Sequence, residues 1–182
     1  MGHTEFLVIG NGRNFSNIEE AIEKLENWSM IFTRRWQSNQ LEQAGKASEE
    51  AMIFFDHVIG ELMRIRDSRK QNQNYANSDF AASMAAVAGR TKPNASQADV
   101  DSITAVSGNA SLPVSTHIAD LILEEALNKV KHRDPSAMNF RIEADRHVFV
   151  FCARSRSGSL ESIVEFDVLS FCETCRDAAK AI

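Results

Sequence analysis

Three short apolar runs between Asn139 and Asp167 limit what this chain can become more than any other part of it. They read N-F-R-I-E, H-V-F-V-F-C-A and E-S-I-V-E-F, and short polar links, A-D-R and R-S-R-S-G-S, join them. In a strand, successive side chains point to opposite faces. The middle run, apolar at Val148, Phe149, Val150, Phe151 and Cys152, therefore needs cover on both. Its neighbours alternate: Phe140 and Ile142 stand among Asn139, Arg141 and Glu143, and Ile163 and Val164 stand between acidic residues. This is the pattern of an antiparallel meander whose centre strand is buried on both sides. Three strands cannot bury themselves, so helices elsewhere must close over them.

The helices are written in steps of three and four. Ile18, Ile22, Leu25, Ser29, Phe32 and Trp36 form one stripe, opened by a capping box at Ser16 and Glu19. Leu41, Ala44, Ser48, Ala51, Phe55, Val58, Leu62 and Ile65 hold the same spacing in a second, longer helix over about 40–68. At 1.5 Å per residue that helix is on the order of 40 Å long. Met52 to Phe55 make its middle apolar around much of the circumference, so it is expected to cross a core. A further helix carries Ile118, Leu121, Ile122, Ala126 and Val130, with Ser115 as its cap and Pro135 beyond its end. A last one, Leu169 to Ala181, offers Phe171, Cys172, Cys175 and Ala179 to the sheet.

Between these, residues 71–113 hold only Asp79, Arg90, Lys92, Asp99 and Asp101 as charges, amid Asn, Gln, Ser, Ala and Gly. They read as a flexible low-charge loop or linker with a short helix at 78–88. The expected fold is α+β: long antiparallel helices bundled on a C-terminal three-stranded antiparallel meander and closed by a C-terminal helix. Residues 1–182 are expected to form one domain.

Composition narrows the function classes. A formal net charge of -5 argues against a surface that coats nucleic acid, though a local basic patch stays open. No run approaches the roughly 20 apolar residues of a membrane helix. Phe6 to Ile9 is too short for a signal sequence, and three cysteines fit a reducing compartment, so a cytoplasmic place is expected. A turn at Gly10-Asn11-Gly12 lacks the third glycine of a dinucleotide fingerprint, because Phe15 stands there.

Cys172 and Cys175 form a C-x-x-C at the start of a helix, without the βαβ setting of a redox motif. As a zinc site it needs two more ligands, for which Cys152, His147 and His132 are the candidates; as a helix face it is ordinary core packing. The five histidines show no metal-binding spacing. His57 follows Asp56 in the apolar middle of the long helix, as an acid–base or metal pair or as a partly buried polar notch.

The segment Leu127-Asn128-Lys129-Val130-Lys131-His132-Arg133-Asp134 resembles the end of the last core helix in HEPN-type domains. The resemblance implies a helical domain of the kind found in bacterial toxin–antitoxin and phage-defence ribonucleases. The nucleases of that family carry Arg-x(4–6)-His on a helix. The formal match here, Arg141 to His147, spans a strand and a turn, with Ile142 in the place of the polar residue.

The chain is therefore expected to be a non-enzymatic cytoplasmic interaction or signalling module, self-associating through its long helix, with a protein partner and no cofactor. The alternatives are an HEPN-like ribonuclease using His132, Arg133 and His57, and a small structural zinc site at the C-x-x-C.

Overall fold

The computed structural model describes residues 16–114 and 117–182. Five strands build its sheet: β1 (Val87–Pro93), β2 (Ala119–Ile122), β3 (Arg133–Glu143), β4 (Arg146–Arg154) and β5 (Leu160–Asp167). Every pairing is antiparallel, in the order β2-β1-β5-β4-β3. The α+β class holds, but the sheet has five strands rather than three. β5 would otherwise leave an apolar edge at Ile163 and Val164; β1 covers it, with Thr91 opposite Val164 and Lys92 opposite Ile163.

Register makes the two faces of the sheet chemically different. Phe149 pairs with Phe166 and Phe151 with Val164, whereas Val148, Val150 and Cys152 pair with Asp167, Glu165 and Ile163. Phe151, Ala153, Val164 and Phe166 enter the larger core. The helices of that core are α1 (Ser16–Gln37), α2 (Leu41–Arg69), α3 (Asp79–Met84), α5 (Leu123–Lys131) and α6 (Val168–Lys180). Val148, Val150, Cys152 and Ile163 enter a smaller core under α4 (Gln97–Thr104) and residues 105–112. Both faces of β4 are thus covered, by different parts of the chain.

Residues 71–113 differ from the loop or linker the sequence suggests. They hold a 3-10 turn (Tyr75–Asn77), α3, β1 and α4, and the short helix is Asp79–Met84 rather than 78–88. The stretch's apolar residues Phe80, Met84, Val100 and Ile103 are all core residues. Leu121 and Ile122 likewise belong to a strand. The helix starts only at Leu123, whose amide donates to the Ala86 carbonyl at 2.8 Å.

The long helix also differs from the expectation. Its second half is buried at Phe55, Val58, Ile59, Leu62, Met63 and Ile65, but Ile53 is 61% exposed and Leu41 54%. Its first half touches α1 through Ala44 and Ala47, which pack under Phe32. The segment 5–12, the side chain of Ser16 and the cap at Ser115 lie outside the described residues.

Candidate functional site

Small residues where α1 and α2 cross leave a space over the sheet. α1 contributes Leu25, Ser29 and Phe32, in steps of four and three, and α2 contributes Ser48, Ala51, Met52 and Phe55. From below come Met138 and Phe140 of β3 and His147 and Phe149 of β4. A helix pair with Ser and Ala at its contact cannot fill the span to the aromatic sheet. The result is a cavity of about 220 Å3, apolar on nearly every side.

Ser48 and Asn139 also line it, and its remaining polar groups form one pair, Ser29 and His147. His147 stands opposite Ile142 in the β3–β4 register, which turns its ring toward the helices. The imidazole stacks on Phe32 at 4.7 Å and meets the edge of Phe140 at 5.8 Å. Nδ1 lies 2.9 Å from Oγ of Ser29, a residue only 2% exposed. Burial pulls the imidazole pKa down to about 4, and the charge of Asp167 offsets only part of that. At neutral pH the ring is uncharged, with Nδ1 engaged by Ser29.

A serine, a histidine and a nearby aspartate invite comparison with a catalytic triad, and the geometry differs from one. A triad needs the carboxylate on one ring nitrogen and the serine on the other. Here Ser29 holds Nδ1, and Asp167 hydrogen-bonds to the Ser170 amide instead. With its folded pKa near 4, this ring is also a weak base at neutral pH. The pair presents a neutral hydrogen-bonding group, without the geometry of a triad.

The other candidates from the sequence are scattered. Cys172 and Cys175 are buried in the larger core and Cys152 in the smaller, with the sheet between them. Desolvation raises the pKa of all three thiols. Among the described residues no three His, Cys, Asp or Glu side chains group as a metal site. His132 is exposed at the end of α5. Arg133 bonds to the Val130 carbonyl at 3.1 Å and to Asp56 at 2.8 Å, one residue before the half-buried His57. Arg141 and His147 point to opposite faces of the sheet, so they do not converge.

Ser29 was legible only as a polar gap in an apolar stripe. Glu165 was not legible as a site residue at all, yet it is 4% exposed and accepts from Arg90, Arg141 and the Leu112 amide. No helix among the described residues is long and apolar enough to cross a membrane. The chain matches no protein-family model, no curated protein and no solved structure.

Proposed function

We propose that the protein is a non-enzymatic cytoplasmic interaction or signalling module that holds a small, neutral, mostly apolar molecule between its α1–α2 hairpin and its sheet. The observation that carries this is the cavity itself, mostly apolar, with the uncharged Ser29–His147 pair in its wall beside Ser48 and Asn139. A mostly apolar site whose hydrogen-bonding groups are few and uncharged favours an uncharged ligand that presents a matching polar atom. Cavities of about 150 Å3 accept benzene, so about 220 Å3 suits one substituted ring. Trp28 and Trp36, both on α1, pack beside the cavity wall and are the two tryptophans of the chain.

Titration of tryptophan fluorescence with phenol, benzyl alcohol, indole and toluene tests the reading. A saturable change for the hydroxylated rings, lost in Ala51→Leu, supports it. No saturable response to any of the four, or an equal response in the variant, counts against it. Self-association through the hairpin belongs to the same proposal, because Met30, Ile31, Leu41 and Ile53 are exposed there. Sedimentation as a monomer at tens of micromolar would remove that part.

A second reading, an HEPN-like ribonuclease, draws on the Arg133–Asp56 ion pair beside His57. Cleavage of total RNA that disappears in His132→Ala would favour it over the binding module.

A further inference from the structure

The face of the sheet opposite the apolar cavity carries a groove of about 500 Å3 with charged walls. Strand alternation puts Glu165 and Asp167 of β5 on this side, together with Arg90 of β1, Arg141 and Glu143 of β3, and Arg146 of β4. Two of these charges differ in how they are satisfied. Glu165 is fully engaged, by Arg90, by Arg141 at 2.7 Å and by the Leu112 amide at 3.2 Å.

Asp167 is not. Its Oδ1 accepts the Ser170 amide at 2.9 Å and caps α6, while Oδ2 is buried and accepts no hydrogen bond. The side chain is 7% exposed. The cation nearest to Oδ2 is Arg146, with Nε at 3.5 Å, and Nη1 of the same residue stands 3.7 Å from Glu143. Both distances allow ion pairing and are too long for N–H donation. Arg146 is 57% exposed, at the start of β4. A buried carboxylate oxygen without a donor thus lies under a loosely held surface guanidinium.

We propose that this groove binds an α-amino acid with a small apolar side chain. The ligand's ammonium takes the place of Arg146 and donates to Oδ2 of Asp167 and to Glu143. The displaced guanidinium then needs an anion, and the ligand's carboxylate provides it, shared with the exposed Arg90. Each ion pair that breaks is replaced, so the groove's charge stays balanced on binding. Ala88 and Val148 give the side chain an apolar wall. This site is independent of the apolar cavity, and neither proposal needs the other.

Calorimetric titration with L-alanine and L-valine, beside isobutylamine and isobutyrate at matched ionic strength, tests it. Binding of an amino acid at least about tenfold tighter than either single-charge analogue is expected. Asp167→Asn keeps the cap through its side-chain carbonyl and should lose at least about tenfold in affinity with its melting temperature nearly unchanged. Arg146→Ala removes the internal competitor, so it should strengthen isobutylamine binding and weaken the amino acid's advantage over it. The proposal is overturned if no amino acid binds at millimolar concentration, if Asp167→Asn binds as well as wild type, or if either analogue equals the amino acid.

Discussion

Replacing His147 by phenylalanine should remove most of the pH dependence of stability between about pH 7 and about pH 5. The imidazole titrates near 6.5 in an unfolded chain and near 4 in this fold. Its folded pKa is depressed, so the stability it allows is complete above 6.5. As the pH falls the unfolded chain takes up the proton first, and stability drains away until the folded ring is protonated near 4. The slope in that window is about 1.4 kcal/mol per pH unit, which gives a loss of about 2 kcal/mol on reaching pH 5. Phenylalanine keeps the ring contacts with Phe32 and Phe140 and gives up the bond to Ser29. That lost bond costs about 1 kcal/mol at either pH, so it shifts the curve without tilting it. Urea unfolding of both proteins at the two pH values, followed by tryptophan fluorescence, separates offset from slope. If the wild-type midpoint falls no further than the variant's, the imidazole is not desolvated and the argument for a neutral ligand fails with it.

The remaining predictions concern the sheet. Glu165→Ala leaves the guanidinium of Arg141, itself only 17% exposed, with Glu143 and the Ala110 carbonyl alone as partners, and should cost about 1.5–3 kcal/mol in chemical denaturation, with much of the loss recovered when Arg141→Met is added. Burial alone would raise the Glu165 pKa, but the Arg141 and Arg90 hydrogen bonds and charges outweigh it and hold the value below the ordinary 4.5. Its contribution is therefore present above 4.5 and lost as the pH falls through the lower folded value, a decline that the alanine variant should lack. Gly89→Ala places a Cβ 2.6 Å from the Glu165 carbonyl oxygen and 2.9 Å from Cβ of Phe166, so β1 must part from β5; a loss of about 1–3 kcal/mol in the same assay is expected. Val150→Asp puts an unpaired carboxylate at a fully buried position and should abolish the cooperative melt followed by circular dichroism; a melt within a degree or two of wild type would contradict the burial.

How much of this was legible in the chain depends on which forces each segment answers to. β4 announces itself by an unbroken apolar run, β3 and β5 because apolar side chains alternate with polar ones, and α1, α2 and α6 because theirs recur at three and four. β1 hides for a physical reason. Arg90 and Lys92 lie on its polar face, paired with Glu165 and Asp99, and Gly89 is there because β5 passes too close for a side chain. Charges neutralised by distant partners look, locally, like a loop. The 118–130 stretch is apolar enough to read as one helix, and the break at Leu123 comes from a bond to Ala86 that no local pattern encodes. The candidate site suffers most. His147 could be named as a possible ligand, but its partner Ser29 lies 118 residues away and carries no motif of its own.

The two borders of the sheet decide how copies of this molecule can meet. At one border, the Ala110 amide already donates to the Phe140 carbonyl at 3.0 Å, Asn109 bridges Arg141, and Pro135 interrupts the rim. At the other, β2 spans only Ala119–Ile122. A strand arriving from a neighbour would find one rim occupied and the other too brief to guide it. Ribbon-like growth from one sheet to the next is therefore disfavoured at both rims.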